Sequence, residues 1–214
     1  MMARGKGHIL VGAGTNGAGK STIVQPFLSK DGEYFNPDEH TRALVALGMP
    51  LTEANSRAWQ TGFDALQQAI DEGRRYAFET TLGATSVPFE LMRALAMGCQ
   101  LDFFFVGLAS PELHIQRVAE RVRRGGHDIP ETKIRERYEN SRKNLLRFIG
   151  TAANLRVWDN STQTSDGRPS PFEVFSIKDR RLRLGGKMAL DRVPAWSKPL
   201  LARAIKMVES DFST

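Results

Sequence analysis

The N-terminal region contains the stretch Gly14-Thr15-Asn16-Gly17-Ala18-Gly19-Lys20-Ser21, which matches the pattern G-x-x-x-x-G-K-[ST]. Glycines in this pattern let successive backbone N–H groups turn toward phosphate oxygens, and the following helix N-terminus adds a favourable dipole. The alternative is a glycine-rich turn that binds nothing. An apolar strand pattern at 8–11 and a helical pattern from Lys20 favour a phosphate-binding P-loop. We therefore predict that ATP is held by Gly14, Thr15, Asn16, Gly17, Ala18, Gly19, Lys20, Ser21 and Thr22, with Ser21 as a ligand of Mg²⁺.

Strand and helix patterns alternate on the C-terminal side of this loop. Short apolar stretches are predicted to be strands at about 34–36, 76–81, 101–108 and 155–158, and helical periodicities separate them. Such alternation is typical of α/β proteins, so we predict a parallel sheet of about five strands with the P-loop after the first. Pro26 predicts a kink or an early end in the first helix.

The composition is that of a globular protein, with 41% hydrophobic and 25% charged residues. No run of 18 apolar residues occurs, and the N-terminus lacks the apolar segment of a signal peptide. The one cysteine, Cys99, excludes an internal disulfide and disfavours a cysteine-based metal site. We therefore expect a cytoplasmic protein without a membrane span. The net charge of +6 suits an anionic partner, either a phosphorylated small molecule or nucleic acid.

The character of the chain changes after residue 161, where a polar loop containing proline and glycine begins. We predict a kinase-like core at 1–161, with a helical lid at about 117–148, and a C-terminal extension at 162–214 packed on the core. The extension is expected to form one or two strands at 172–184 and a helix at 196–208. Its basic stretch 178–183 is interpreted as a solvated edge strand, with nucleic-acid binding as the alternative.

Asp38 follows the second predicted strand and Glu79 ends the third, so both carboxylates lie at the sheet edge where ligands bind in such folds. Asp38 is a candidate catalytic base, since a carboxylate there can accept the proton of an attacking hydroxyl group. It also suits the N-cap of the next helix, and the two interpretations are compatible. Glu79 can hold Mg²⁺ or bind the acceptor substrate, or it is a charged residue at an exposed strand end.

Three arginines, Arg117, Arg121 and Arg124, share one face of a predicted helix. Mobile lids of kinases place such arginines near the transferring phosphoryl group, and Gly125-Gly126 can serve as a hinge. The alternative is a solvated basic face. Arg137 lies on a face of the next helix that can line the same cleft. The four histidines show no metal-ligand spacing, and His127 is of interest because it lies in the lid.

Several of these segments together resemble the zeta toxin family, especially its short chromosomal ATP-binding members. The resemblance covers roughly residues 8–161 and rests on 12–22, Phe35-Asn36-Pro37-Asp38-Glu39, Phe78-Glu79-Thr80-Thr81-Leu82, 117–122, 125–130 and 137–145. It implies a three-layer P-loop kinase fold, and it implies that Thr81 contacts the substrate. Studied toxin members phosphorylate a sugar hydroxyl of a UDP-N-acetyl amino sugar. They often carry a substrate-holding arginine where this chain has Gly83, so the same substrate does not follow.

The leading hypothesis is a kinase that transfers the γ-phosphoryl group of ATP-Mg to a hydroxyl of a small molecule, such as a nucleotide sugar or a nucleotide. Lys20, Asp38, Arg117, Arg121 and Arg124 are its predicted catalytic residues. Asp38, Glu79, Thr81 and Arg137 are predicted to bind the acceptor, and Ser21 and Glu79 to hold Mg²⁺. One alternative is a polynucleotide 5′-hydroxyl kinase, and another is a nucleotide-binding regulator or NTPase with a protein partner. A single chain does not identify an antitoxin.

Overall fold

The computed structural model describes residues 7–30, 34–186 and 190–211. The sheet is built from seven strands: β1 (His8–Ala13), β2 (Tyr34–Phe35), β3 (Arg75–Thr80), β4 (Gln100–Gly107), β5 (Asn154–Asp159), β6 (Phe172–Lys178) and β7 (Arg181–Leu184). Their order is β2-β3-β1-β4-β5-β6-β7. The first five are parallel, which confirms the predicted sheet. Residues 1–6, on which part of the signal-peptide prediction rests, lie outside the described residues.

Helices pack on both faces of this sheet and complete a three-layer α/β fold. They are α1 (Lys20–Leu28), α2 (Pro37–Ala46), α3 (Leu51–Glu72), α4 (Ser86–Ala96), α5 (Pro111–Arg123), α6 (Glu131–Leu146) and α7 (Lys198–Asp211). Two short 3-10 turns, Leu190–Arg192 and Ala195–Ser197, precede α7. Among the described helices, none combines the length and apolar character needed to span a bilayer.

The central strands β1 and β4 are apolar on both faces because helices cover both sides. Ile9, Val11, Phe103 and Phe105 point into the larger core, which they share with α3, α4 and α7. Intervening residues of the same strands, including Phe104, pack with α1 on the other side. Burying each such side chain contributes about 1.5–3 kcal/mol. The central strands are thereby fixed, and with them the C-terminal strand ends that carry the site.

Helix α1 continues through Pro26 and ends two residues later at Leu28. Proline lacks an N–H and therefore forfeits one backbone hydrogen bond to the preceding turn. The helix has nine residues, and this loss falls near its C-terminal end. Of the two predicted effects of Pro26, a kink or an early end, the structure shows an early end of α1.

The C-terminal extension continues the sheet, since β6 pairs antiparallel with β5 and β7 with β6. The indole of Trp196 is buried in the larger core, and its Nε1–H donates to Asp159 Oδ2 at 2.5 Å. The final helix begins two residues after the predicted start, at Lys198. Strand β7 lies at the sheet edge, as the edge-strand interpretation requires. Phe175 is fully buried, so it offers no surface for stacking on nucleic acid.

Gly107 has no side chain, and the ring of Trp196 fills the space beside it. Replacing Gly107 therefore tests how the C-terminal extension packs on the core. A Cβ at this position would overlap carbons of the Trp196 ring. We expect Gly107→Ala to lower the free energy of unfolding by about 1–3 kcal/mol, the usual cost of overpacking a core. Urea denaturation measures this loss. Trp196→Phe in the same chain should restore part of it, and a Gly107→Ala variant as stable as wild type would contradict this packing.

Candidate active site

The P-loop connects β1 to α1 and depends on its glycines. Gly14 has φ +140°, and a Cβ there would collide with the carbonyl oxygen of Val106. Gly17 and Gly19 have φ of +80° and +82°, a region that other residues rarely adopt. With glycine at these positions the loop leaves a concave surface, which larger side chains would occupy. The loop therefore suits the phosphates of a nucleotide, in the position that the sequence predicts.

The ammonium group of Lys20 lies among charged side chains at the first turn of α1. Burial lowers the pKa of Lys20, while the nearby carboxylates of Glu79 and Asp38 partly oppose that shift. The guanidinium groups of Arg121 and Arg137 also lower the pKa of Lys20. Three cations thus converge beside the P-loop, and an anion bound there would offset their repulsion.

Ser21 and Glu79 form the pair that the sequence assigns to Mg²⁺. The Ser21 hydroxyl donates to Glu79 Oε2 at 3.0 Å. Hydroxyl and carboxylate oxygens are suitable Mg²⁺ ligands, and Mg²⁺ usually completes its shell with water and substrate phosphate. Among the described residues, no group of three or more His, Cys, Asp or Glu side chains could hold a metal without such help. The donor set fits a magnesium ion that arrives with a nucleotide.

Two residues that sequence reasoning did not single out hold this pair in place. The Tyr34 hydroxyl donates to Glu79 Oε1, and burial and this hydrogen bond raise the pKa of Tyr34. The buried amide of Asn36 donates to Ser21 Oγ at 3.2 Å and contacts the Tyr34 hydroxyl at 3.4 Å. The side chain of Asn36 also accepts the backbone N–H of Asp38 at 3.0 Å. Asn36 therefore links the proposed metal ligands to the start of α2.

The same contact corrects the alternative interpretation of Asp38. The N-cap of α2 is Asn36, followed by Pro37 in the first turn. Asp38 is therefore not the cap, and its carboxylate is not needed to start the helix. The pattern Asn-Pro at a helix start is a known capping signature and is the signal that identifies Asn36.

The carboxylate of Asp38 faces α5 and the segment that connects α5 to α6. Arg121 Nη1 lies 3.2 Å from its Oδ2, and His127 Nε2 lies 3.8 Å from its Oδ1. The side chain retains 47% of its exposure and lines a cavity beside the P-loop. Exposure of that degree makes the Arg121 contact weak, because water screens it. Asp38 is thus accessible from the cavity.

The three predicted lid arginines do not converge on one point. Arg121 reaches Asp38, and Arg117 instead donates to the backbone carbonyl of Asn160 at 2.6 Å. The side chain of Asn160 in turn donates to the carbonyl of Ala18. Arg117 therefore stabilises the P-loop indirectly, through Asn160. Arg124 follows α5 as its C-cap and is exposed to solvent. The structure does not bring Arg124 to the site.

Arg137 occupies the place near the P-loop that Arg124 was expected to reach. Its Nη1 donates to Asn16 Oδ1 at 2.8 Å. A Cβ on Gly83 would lie 2.8 Å from Cγ of Arg137, so glycine there lets α6 approach closely. Asn144 anchors the same helix by donating to the carbonyls of Leu82 and Ala84. Among the described residues, Arg121 and Arg137 are therefore the cations whose charges act on Lys20 beside the P-loop.

A cavity of about 480 Å³ opens next to the P-loop and extends between α3 and α6. Asp38, Glu79, Thr81 and Arg137, the predicted substrate residues, all line it. Asn16 is the one lining residue that comes from the P-loop, so the cavity lies beside the nucleotide cradle. Its size suits a small-molecule ligand.

Buried His114 supports the P-loop from α5 and gives the fold a pH dependence. Its Nδ1–H donates to the carbonyl oxygen of Asn16 at 2.8 Å. Burial lowers the pKa of His114 to about 4. Unfolded chains therefore bind more protons than the native state between about pH 6.5 and pH 4. The stabilisation is fully present above pH 6.5 and is lost as the pH falls toward 4.

We expect the free energy of unfolding to fall by about 2 kcal/mol from pH 7 to pH 5 because of this histidine. Urea denaturation at the two pH values measures the change. The His114→Gln variant should be less stable at pH 7 but should show a correspondingly smaller fall. An equal fall in both proteins would show that His114 is not responsible.

Comparison with known proteins assigns the chain to a family. The family model described as Zeta toxin matches residues 50–166, more than half of the chain. An uncharacterized protein from Haemophilus influenzae (strain ATCC 51907 / DSM 11121 / KW20 / Rd) is 26% identical over 132 residues, covering 58% of this chain and 88% of that protein.

Solved structures share the fold at low sequence identity. The AvrRxo1-ORF1:AvrRxo1-ORF2 complex with sulphate ions aligns with a TM-score of 0.61 at 13% identity, covering 96% of this chain and 76% of that one. A structure of the PezAT chromosomal toxin–antitoxin system of Streptococcus pneumoniae aligns with a TM-score of 0.54 at 12% identity, covering 98% and 88%. The fold is thus that of these proteins, and by the family match the chain belongs to the zeta toxin family.

Proposed function

We propose that this protein is an ATP-dependent kinase that transfers the γ-phosphoryl group of ATP-Mg to a hydroxyl group of a small molecule. The observation that carries the proposal is the position of Asp38, which lines the cavity while its charge acts on Lys20 of the P-loop. A base, a phosphate cradle and an acceptor cavity thus adjoin one another. The AvrRxo1-ORF1:-ORF2 complex has been solved with ATP and aligns with a TM-score of 0.57, which supports the nucleotide assignment.

In the proposed reaction Asp38 accepts the proton of the acceptor hydroxyl group. The oxygen of that hydroxyl group bonds to the γ-phosphorus. The bond from that phosphorus to the β,γ-bridging oxygen breaks, and ADP leaves. Lys20, Arg121 and Arg137 offset the charge on the transferring group. Arg121 Nε is buried without a hydrogen-bond partner among the described residues, which supports an anionic ligand there. Catalysis then rests on positioning and electrostatics.

Ser21 and Glu79 are proposed to hold Mg²⁺, with Tyr34 and Asn36 orienting both of them. A bound Mg²⁺ supplies positive charge to the phosphate oxygens. Residues 14–22 are proposed to hold the nucleotide. Arg117 is proposed to stabilise the P-loop through Asn160.

The remaining assignments follow from the same geometry. We place the reaction in the cytoplasm, where ATP is available and where a free, buried thiol such as Cys99 is ordinary. We propose residues 162–214 as an extension that completes the core through Trp196.

The test is ATP consumption with a panel of sugars, nucleosides, nucleotide sugars, dinucleotides and oligonucleotides, with mass spectrometry of the product. We expect a small molecule to gain one phosphoryl group. Phosphorylation of oligonucleotides alone would support a polynucleotide kinase. Hydrolysis of ATP with no phosphorylated acceptor would favour an NTPase that acts through a protein partner.

A further inference from the structure

Two backbone carbonyls of the P-loop are held by side chains that lie outside the loop. His114 donates to the carbonyl of Asn16 at 2.8 Å. Asn160 Nδ2 donates to the carbonyl of Ala18 at 2.9 Å. A carbonyl oxygen is the negative end of the peptide dipole, so it must point away from a phosphate group while the N–H groups point toward it. These two hydrogen bonds therefore favour the loop conformation that phosphate binding requires.

Asn160 lies directly against the loop and contacts two successive residues of it. Its side chain is buried, and a Cβ on Gly19 would lie 2.6 Å from its Nδ2. Its Oδ1 is buried without a hydrogen-bond partner among the described residues, so the bond to Ala18 is what orients the amide group. Because Ala18 is also buried, its carbonyl would lose this partner at a cost in free energy if the amide were removed.

The backbone of Asn160 is fixed by a turn that follows β5. Its N–H donates to the carbonyl of Gly107 at 3.0 Å, and its own carbonyl accepts from Arg117. Asp159 closes the turn, because its Oδ1 accepts the backbone N–H of Ser161 at 2.8 Å. A carboxylate that accepts the N–H two residues ahead forms an Asx-turn, and Asn160 is the middle residue of this one. The position of the Asn160 side chain thus depends on the carboxylate of Asp159.

That carboxylate is in turn held by the C-terminal extension. Asp159 is 2% exposed, and its oxygens accept two hydrogen bonds from Ser161 and one from Trp196 Nε1. A buried carboxylate needs such donors to offset the water that it has lost. A continuous chain of contacts therefore leads from the extension to the P-loop: Trp196, Asp159, Asn160 and Ala18.

We infer that Asn160 is a positioning residue for the nucleotide, and that the C-terminal extension sets its position through Trp196 and Asp159. The inference rests on the proposed function for the identity of the nucleotide. It goes further by giving residues 162–214 an influence on nucleotide affinity. Asn160 acts on the backbone of the loop, and the loop binds the phosphates.

The test is isothermal titration calorimetry of the full-length protein with ATP-Mg and with inorganic tripolyphosphate and Mg²⁺. Asn160→Ala should raise both Kd values about tenfold, because the loop loses a buried hydrogen bond. An increase for tripolyphosphate places the effect at the phosphate groups. An Asn160→Ala variant that binds both ligands as tightly as wild type would overturn the inference.

Asn154→Ala is the matched control, with urea denaturation measured beside each titration. Asn154 begins the same strand and donates to Asp102 at 2.8 Å, at the end of β5 away from the P-loop. Its removal should lower the free energy of unfolding and leave both Kd values unchanged. Equal increases in Kd in Asn154→Ala and Asn160→Ala would reduce the role of Asn160 to general stability and would also overturn the inference.

Trp196→Phe tests the influence of the extension while an aromatic ring stays in the core. The change removes the indole N–H that holds Asp159. We expect it to raise the Kd of ATP-Mg about threefold in the wild-type background and not in Asn160→Ala, because both changes act through the same contact. The same increase in both backgrounds, or none in the wild-type background, would contradict the influence of the extension.

Phosphoryl transfer is measured separately, so that the two proposals fail in different ways. If wild type binds ATP-Mg but phosphorylates no acceptor, the kinase is contradicted, while the expected pattern of Kd values would still support the role of Asn160. Transfer by wild type, together with unchanged ATP affinity in Asn160→Ala, would support the kinase and overturn this inference. Wild-type protein that binds neither ATP-Mg nor tripolyphosphate would contradict both.

Discussion

Lys20→Ala is expected to lower phosphoryl transfer by roughly 10²–10³-fold and to weaken ATP binding. Lys20 is the P-loop cation, and its ammonium is placed to contact phosphate oxygens where charge develops. Burial already lowers the pKa of Lys20, so the charged side chain is costly to keep in the folded protein without an anion beside it. Its removal should therefore leave folding largely intact.

The measurement is single-turnover transfer beside an ATP titration and urea denaturation. Lys30→Ala serves as the control, because Lys30 is an exposed lysine just beyond α1. This variant should match wild type in all three assays. Transfer at the wild-type rate in Lys20→Ala would remove the P-loop from the mechanism.

The central fold was predictable because its signals are local. The P-loop needs glycines at fixed positions, and Gly14 and Gly19 do adopt conformations with positive φ. Strands β1 and β4 read as apolar runs since helices cover both of their faces. These features are visible within about ten residues of sequence.

The C-terminal hairpin was harder to predict, because its turn lacks the usual residues. Asp179 and Arg180 connect β6 to β7 with φ of +49° and +60°. Two-residue turns of this kind normally carry Asn-Gly or Gly. Asp179 tolerates positive φ, but no glycine follows it, so the local sequence marks the turn only weakly. Pairing of β6 with β5 helps to hold the hairpin in place.

The candidate site depends on contacts that are distant in sequence, and periodicity does not reveal them. Arg117 and Arg121 share a helical face, yet Arg117 donates a hydrogen bond to the carbonyl of Asn160, which is 43 residues away in sequence. Arg124 falls where α5 ends, so its side chain leaves that face. Arg137 lies near the P-loop because Gly83 lets α6 approach closely, and one sequence does not show this contact between a loop and a distant helix.

Asp38→Asn tests the proposed base directly. The substitution keeps the shape of the side chain and removes its charge and its proton affinity. Because Asn36 is the N-cap of α2, the change should not destabilise the helix start. Glu79, rather than Asp38, is hydrogen-bonded to Ser21. We therefore expect ATP-Mg binding to stay close to that of wild type.

Transfer in Asp38→Asn should fall by roughly 10²–10⁴-fold, the usual contribution of general base catalysis. Single-turnover transfer beside an ATP-Mg titration measures both quantities. Glu53→Gln is the control, since it removes an equal charge from an exposed position on α3. A parallel loss of nucleotide affinity and transfer would assign Asp38 to Mg²⁺. Unchanged transfer would exclude Asp38 as the base and would favour Glu79, the carboxylate near the C-terminal end of β3 that also lines the cavity.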